Sequence, residues 1–155
     1  MEYDFEIYQL SEQFLENYPC KTYPELLHKS SRPYTCLLVD LHIDYFICIP
    51  FRSDIRHKNS YLFKNSERSR RSRSGLDYSK MVIVKNTDYL NSTTTIDNDE
   101  YIEVIKNLPL IVNQSVNYLE TYCNHVSGKS VLSSQKYKRD YQYSTLPYFH
   151  EILKI

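Results

Sequence analysis

The residues best suited to chemistry in this 155-residue sequence lie in one short polar segment that follows an apolar stretch. The segment contains Arg52, Ser53, Arg56, His57 and Lys58. Metal-independent cleavage of RNA needs a base for the 2′-hydroxyl, an acid for the leaving 5′-oxygen, and cations for the charge on phosphorus. His57 suits the acid or the base, Arg52 and Arg56 suit the phosphate, and the Ser53 hydroxyl suits a non-bridging oxygen. The alternative is a basic hairpin tip that is merely solvated.

Two further groups of basic residues follow in the sequence. Lys80 stands at the start of a predicted strand, where it would point into a cleft or lie along the strand edge as an ordinary surface lysine. The polar stretch 65–74 is predicted to be a loop that orders on binding a nucleic-acid backbone, through its arginines Arg68, Arg70, Arg71 and Arg73. A solvated loop without a ligand is the alternative for this stretch.

The charge of the chain is unevenly distributed. Residues 52–85 contain ten lysines and arginines against three acidic residues, although the whole chain has no net charge. This asymmetry makes one surface a candidate for a phosphate-rich partner. The sixteen tyrosines offer rings that stack on bases or fill a core that lacks tryptophan.

Several classes of site find no support in the sequence. The chain has only two glycines, so neither a phosphate-binding glycine loop nor a Rossmann fingerprint is present. A G-x-S-x-G nucleophile elbow is also missing. The five histidines and four cysteines lack the spacing of metal ligands, so we expect no metal and no other cofactor.

The elements that must position the polar segment follow one another without βαβ regularity. Strands are predicted over 3–8 as an edge strand, 34–41 and 45–51 as a hairpin, 61–63, and 76–85. Helices are predicted after Ser11, over 24–29, from Asp97 with a break at Pro109 until Gly128, and over 146–153. Segment 86–95 is predicted to be rich in turns, and segment 129–143 is polar and rich in tyrosine. These elements predict an antiparallel α+β fold in a single domain, 1–155.

The location of the protein follows from two absences in the sequence. No apolar run of about 18 residues is present, and the first ten residues have no basic region. We therefore expect a cytoplasmic protein without a membrane span or a secretory signal.

Three blocks of the sequence carry a resemblance to a known family. They are Arg32-Pro33-Tyr34, IPFRSDIRH from Ile49 to His57, and GLDYSKMVIV from Gly75 to Val84. In their order and spacing, from about Tyr3 to Val126, the chain resembles the toxins of type III toxin–antitoxin systems, the ToxN/AbiQ/CptN/TenpN endoribonucleases, with the TenpN-like branch most similar. Ser53 matches the active-site serine of that family. The chain departs from the ToxN-like pattern around it, where Arg52 replaces a threonine and Arg56, His57 and Lys58 replace lysines.

The resemblance implies a strongly twisted antiparallel sheet flanked by helices, distantly like the Kid and MazF toxins. It also implies metal-independent cleavage of single-stranded RNA to a 2′,3′-cyclic phosphate and a 5′-hydroxyl, with cellular or phage mRNA as the substrate. The implied partner is a small repetitive antitoxin RNA, which the toxin processes into pseudoknotted units that enclose it in an inactive protein–RNA assembly. The implied role is phage defence by abortive infection, with no DNA or membrane partner.

The residue assignments that result form two groups. The proposed reaction centre consists of Arg52, Ser53, Arg56, His57 and Lys80, with the identity of the general base left open. The proposed RNA contacts are Tyr34, Lys58, Arg68, Arg70, Arg71, Arg73 and Tyr78. Two other classes of function remain as alternatives: a non-catalytic RNA-binding module that uses the same basic surface, and a structural protein with no nucleic-acid partner.

Overall fold

The computed structural model of the chain describes residues 2–27 and 34–155. They form a single-domain α+β fold with a twisted, seven-stranded antiparallel sheet flanked by helices, which confirms the predicted fold class. The strands are β1 (Asp4–Leu10), β2 (Thr35–Asp40), β3 (Phe46–Arg52), β4 (Ser60–Leu62), β5 (Gly75–Asp77), β6 (Val82–Val84) and β7 (Leu90–Thr93). The helices are α1 (Glu12–Asn17), α2 (Glu67–Arg71), α3 (Asn98–Lys106), α4 (Leu108–Val126), α5 (Ser134–Tyr141) and α6 (His150–Leu153).

Strand β3 is the strand that positions the candidate site. Its first residues pair with β2 on one side and with β6 on the other, and its last two residues, Phe51 and Arg52, pair with β5 instead. Strand β4 completes this side of the sheet by pairing with β5. The predicted β2–β3 hairpin is therefore confirmed, and the change of partner along β3 brings β5 beside Arg52.

The core lies on both faces of the central strands. Four consecutive residues are buried in β2 and again in β3, as expected for strands covered on both sides. Helix α4 covers the sheet with residues that recur at helical spacing: Leu108, Ile111, Val112, Ser115, Tyr118, Leu119 and Tyr122. Asp97 caps α3 by accepting a hydrogen bond from the Glu100 N–H, and α4 begins at Leu108 with Pro109 in its first turn. The predicted helix start and break are confirmed.

The remaining predictions of helices are partly confirmed. Helix α1 follows Ser11 as predicted, and a 3-10 turn at Leu146–Phe149 with α6 accounts for the predicted helix over 146–153. The predicted helix over 24–29 is wrong in its described part, where residues 24–27 form a turn. Its last two residues and the Arg32-Pro33 block lie outside the described residues.

Two strand predictions are wrong in detail. Strand β1 is not an edge strand, because β7 pairs with its outer side. The sequence of β7 hid this strand, since its last three residues are exposed and polar and show no apolar alternation. The predicted strand over 76–85 is split into β5 and β6 by a 3-10 turn at Tyr78–Lys80.

Two polar segments for which no helix was predicted contain helices. Stretch 65–74 contains α2, whose N-terminus is capped by the Ser66 hydroxyl. Segment 129–143 contains α5, on which Tyr137 and Tyr141 lie one turn apart and pack against tyrosines of α4. A short helix with so few apolar residues carries little periodic signal, and tertiary packing stabilises it instead.

None of the described helices combines the length and the apolar character that crossing a membrane would need.

The two glycines of the chain allow a test of how β4 and β5 come together. A Cβ at Gly75 would overlap the Tyr61 carbonyl oxygen and lie 2.9 Å from Leu62 Cα, both backbone atoms of β4. We expect Gly75→Ala to lower the free energy of unfolding by about 3 kcal/mol, because neither backbone can give way without breaking the β4–β5 pairing.

Gly128→Ala is the matched control. Gly128 has a φ of +78° with open space around its Cβ position, so we expect only the left-handed backbone cost of about 1 kcal/mol. Urea denaturation measures both variants. Equal losses of unfolding free energy for the two variants would show that β4 and β5 are not tightly packed at Gly75.

Candidate functional site

Asp77 is the centre of a polar cluster where β3 and β5 end. Its side chain is completely buried, and its Oδ2 accepts a hydrogen bond from Arg52 Nη1 at 2.8 Å. His57 Nε2 lies 3.2 Å from the same carboxylate, and the Ser79 hydroxyl and backbone N–H donate to Oδ1 at 2.6 and 3.0 Å. A buried carboxylate is stable only when such donors surround it. Asp77 therefore holds Arg52 and His57 beside each other.

The backbone explains why these residues meet. Arg52 pairs with Gly75 in the sheet, and Asp77, two residues along β5, pairs with Ser60 of β4. The Asp77 side chain also caps the 3-10 turn that follows it, because it accepts the Ser79 N–H. One aspartate thus ends a strand, begins a turn and binds both basic side chains.

The loop between β3 and β4 holds His57 in place. Ile55 of this loop is fully buried, its N–H donates to the Arg73 carbonyl, and its own carbonyl accepts from Arg73 Nε. The Asn59 N–H donates to His57 Nδ1 at 3.2 Å. Since a donor faces Nδ1, that nitrogen carries the lone pair and the ring proton is on Nε2, facing Asp77. The geometry therefore selects one neutral tautomer of His57.

Asp77 is ionised in this environment. Burial raises the pKa of Asp77, but the hydrogen bonds from His57, Ser79 and Arg52 and the electrostatic attraction of His57 lower it by more, so that it lies below the ordinary value of 3.8. The cluster therefore contains a permanent negative charge at neutral pH, next to the guanidinium of Arg52. Arg52 and His57 are each about one-third exposed, at 33% and 32%.

Ser53 and Arg56 lie apart from this carboxylate. Ser53 is exposed, and its hydroxyl is 3.5 Å from Arg68 Nη1, which is at the limit of a hydrogen bond. Arg56 is exposed and pairs with Asp54 at 3.0 Å. Among the described residues, the donors to the Asp77 carboxylate come from Arg52, His57 and Ser79. The structure therefore brings together two of the five residues assigned to the reaction centre, and Ser53 follows one of them directly in the chain.

The prediction that Lys80 lies on a strand and faces the reaction centre is wrong. Lys80 ends the 3-10 turn, and its side chain is only 10% exposed. Its ammonium donates to Glu25 Oε2 at 3.0 Å and to the Tyr143 carbonyl at 2.8 Å. Lys80 therefore ties the β5–β6 connection to the segment after α1 and to the segment after α5.

Tyr34 and Tyr78 do not offer rings for stacking on RNA. Both residues are buried, with exposures of 5% and 3%. The Tyr34 hydroxyl accepts the Leu27 N–H, and the Tyr78 hydroxyl donates to Gln114 Oε1. A tyrosine whose ring packs in the core presents only its hydroxyl, so base stacking is not available to either residue, and their predicted RNA contact stays a prediction.

The arginine-rich segment is a helix held in place by α3. Glu100, which is 3% exposed, accepts hydrogen bonds from Arg68 Nε and Nη2 at 3.2 and 2.7 Å and from the Ser66 hydroxyl at 2.9 Å. Glu103, which is also buried, accepts the Tyr61 hydroxyl and two backbone N–H groups that precede α2. The expectation of an unpacked loop is wrong, and Arg68 serves a structural ion pair.

The other residues of this segment differ from Arg68. Arg70, Arg71 and Arg73 are exposed. Arg71 pairs with Glu67 one turn earlier on the helix surface, whereas Arg73 donates to the Ile55 carbonyl. Exposed guanidiniums with weak surface partners remain able to contact phosphate. The predicted RNA contact of this segment therefore rests on these three arginines.

A second basic surface includes Lys58, the residue after His57. Helices α4 and α5 and the segment Lys58–Asn59 enclose a cleft of about 320 Å³. Lys58, Lys136 and Arg139 line it together with Gln114 and Asn117. The sequence alone does not indicate the basic residues of α5, because without the helix nothing places them beside the polar segment at 52–58.

One group of residues has the composition of a cation site. Asp4 and Asp40 are cross-strand neighbours, and His42 lies between them with Nε2 3.1 Å from Asp4 Oδ2. Each residue offers a ligand atom within 4.8 Å of the others. Asp4 and His42 are exposed, and exposed acidic groups of this kind are common on protein surfaces, so we assign no function to this group.

The sequence matches no protein-family model, and comparisons with curated proteins and with solved structures gave no significant match. We therefore base the functional proposal on the side-chain geometry and on the resemblance of the three sequence blocks.

The role of Arg68 is tested by comparing it with Arg70 on the same short helix. We expect Arg68→Ala to lower the free energy of unfolding by about 2 kcal/mol, because it leaves the buried Glu100 carboxylate with the Ser66 hydroxyl as its donor. Arg70→Ala, a change at an exposed position, should stay within about 0.5 kcal/mol of wild type. Urea denaturation at neutral pH measures both. Similar values for the two variants would contradict a structural role for Arg68.

The low pKa of Asp77 predicts how stability depends on pH. A carboxyl whose pKa is lower in the folded state contributes stability that is complete above about pH 5 and is lost as the pH falls through the folded pKa. We expect Asp77→Asn to be less stable than wild type at pH 6, and the difference to shrink steadily below pH 4. Denaturation at a series of pH values measures this. A constant difference from pH 6 to pH 2.5 would contradict an ionised Asp77.

Proposed function

We propose that this protein is a metal-independent endoribonuclease, the toxin of a type III toxin–antitoxin system, which cleaves single-stranded RNA to a 2′,3′-cyclic phosphate and a 5′-hydroxyl. The observation that carries the proposal is the buried Asp77 carboxylate, which holds Arg52 and His57 side by side where β3 and β5 end. Both side chains remain one-third exposed and can meet a phosphodiester.

The tautomer of His57 determines its role in the proposed reaction. Asp77 holds the proton on Nε2, which leaves Nδ1 as the basic nitrogen. The 2′-hydroxyl of the substrate replaces the Asn59 N–H at Nδ1 and gives its proton to the ring. Asp77 then stabilises the imidazolium, as the aspartate of a catalytic triad does. The 2′-oxygen attacks phosphorus and the bond to the 5′-oxygen breaks, with a proton from solvent completing the 5′-hydroxyl.

Arg52 supplies the positive charge at the phosphate. Its Nη1 is committed to Asp77, and the other N–H donors of its planar guanidinium can bind the non-bridging oxygens as charge builds up on them. Ser53, next in the chain and exposed, supplies a hydroxyl for the same phosphate. Arg56, which is also exposed, contacts the RNA backbone outside the cluster.

The proposed partner is a small repeat-derived antitoxin RNA, and the proposed substrates are cellular or phage mRNAs. The support for this partner is the resemblance to the type III toxins together with the exposed arginines of α2 and the basic cleft beside α5. A cytoplasmic location and a role in abortive infection belong to the same proposal.

A non-catalytic RNA-binding module is the second candidate. It is favoured by the observation that both ring nitrogens of His57 already have partners within the protein. In that case Asp77 and His57 serve only to hold Arg52 against an RNA phosphate.

Cleavage of single-stranded RNA in the presence of EDTA separates the two candidates. We expect the wild-type protein to cleave, and Asp77→Asn and His57→Gln to lower the rate by about 100-fold or more, because each removes the base or its correct tautomer. Their affinity for RNA should stay within about threefold of wild type. Chemical identification of the products should find 2′,3′-cyclic phosphate ends.

Lys85→Ala is the matched control, since it removes one positive charge at the opposite end of β3. Lys85 follows β6, whose Val84 pairs with Phe46 at the start of β3. We expect this variant to cleave at the wild-type rate. Intact RNA after incubation with metal-free wild-type protein, with binding preserved, would reject the nuclease and leave the binding module.

A further inference from the structure

We infer that the cleft between α4, α5 and Lys58–Asn59 is a subsite for one nucleotide of single-stranded RNA adjacent to the scissile phosphate; this inference rests on the proposed nuclease function. The cleft has a volume of about 320 Å³, within the range of about 300–1,000 Å³ common for small-ligand pockets. The resemblance extends to about Val126 and so does not include α5, which supplies Lys136, Arg139, Asp140 and Tyr141 to the lining.

The geometry of α5 directs its basic residues into the cleft. Tyr137 and Tyr141, one turn apart, pack against Tyr122 and Tyr118 of α4. Lys136 and Arg139, three residues apart, share a different face of the same helix and line the cleft. One helix therefore places an aromatic face on the core and two cations at the opening.

The charge of the cleft favours an anion. Lys58, Lys136 and Arg139 line it, and the acidic residue among the lining is Asp140. Asp140 accepts hydrogen bonds from both the Arg139 guanidinium and the Asn59 side-chain amide, and only 11% of its side chain is exposed. The hydrogen bond from Arg139 is the largest cause of a pKa of Asp140 below its ordinary value. Asp140 therefore orients its neighbours and leaves a positive cleft.

Three polar residues of the remaining lining, which also includes Tyr78, Tyr118 and Tyr141, suit the edge of a nucleobase. Gln114 and Asn117 lie three residues apart on the exposed face of α4, and Thr121 lies one turn beyond Asn117. Side-chain amides and hydroxyls recognise bases in single-stranded RNA through hydrogen bonds to their edges. Basic groups for a phosphate and amides for a base together fit a nucleotide better than a simple anion.

Asn59 connects the cleft with His57. Its backbone N–H donates to His57 Nδ1 at 3.2 Å, and its side-chain amide donates to Asp140, which lines the cleft, at 3.3 Å. A nucleotide in the cleft therefore lies beside Asn59, the residue whose backbone N–H faces the nitrogen proposed to act as the base.

The test measures the binding of a fluorescent, fully 2′-O-methylated RNA octamer, which offers no 2′-hydroxyl and cannot be cleaved by the proposed route. We expect the double variant Lys136→Ala, Arg139→Gln to bind about tenfold more weakly than wild type at low salt. The negative slope of log affinity against log salt should become shallower by about 0.7 for each phosphate that the variant no longer neutralises.

Lys138→Ala is the matched control on the same helix. Lys138 is exposed, and the residues that line the cleft do not include it. We expect this variant to bind within about twofold of wild type. An equal loss for Lys138→Ala would overturn the subsite in favour of general attraction by a basic helix, as would wild-type binding by the double variant. Equal competition by poly-glutamate would overturn the assignment to RNA.

The same measurement distinguishes this inference from the proposed nuclease. Binding of the octamer does not depend on cleavage. If the double variant loses binding and the wild-type protein does not cleave natural RNA, the nuclease is rejected and an RNA site in the cleft is kept. Cleavage by wild type with unchanged binding by the double variant would keep the nuclease and reject the subsite. Asn117→Ala should in addition change which nucleotide is preferred beside the cleaved bond.

Discussion

The burial of one carboxylate determines how the candidate site is arranged. Asp77 has no exposed side-chain surface, so its charge must be balanced within the protein, and Arg52, His57 and Ser79 provide that balance. Removal of any donor leaves the carboxylate under-satisfied in a region of low dielectric constant. The same need that orders the side chains selects the tautomer of His57. The stability of the fold and the proposed chemistry therefore both depend on the same buried carboxylate, Asp77.

The same principle orders the arginine-rich segment. Two buried glutamates of α3, Glu100 and Glu103, accept hydrogen bonds from the segment that contains α2. The polar stretch 65–74 therefore contains a short helix, because its donors form hydrogen bonds with these buried carboxylates. Part of the positive charge of residues 52–85 is therefore paired with acidic side chains within the fold. What remains for an RNA partner is the exposed part, on α2 and around the cleft beside α5.

Asn59 contacts both the proposed reaction centre and the proposed nucleotide subsite. Its backbone occupies the basic nitrogen of His57, and its side chain reaches Asp140 of α5. The residue whose backbone N–H faces Nδ1 is therefore also a lining residue of the cleft. The segment 57–60 is therefore the junction between binding and the proposed reaction.

Local sequence was enough to predict the α+β class, the β2–β3 hairpin, the helix cap at Asp97 and the break at Pro109, because each depends on neighbours in the chain. Residue types and spacing also selected Arg52 and His57 as candidates, and both side chains contact the Asp77 carboxylate. Only the folded chain reveals that Asp77 lies between them, that Lys80 turns away to Glu25, and that Arg68 serves Glu100. These outcomes depend on which buried charge needs which donor. That choice is made between strands and helices far apart in sequence, where local pattern carries no information.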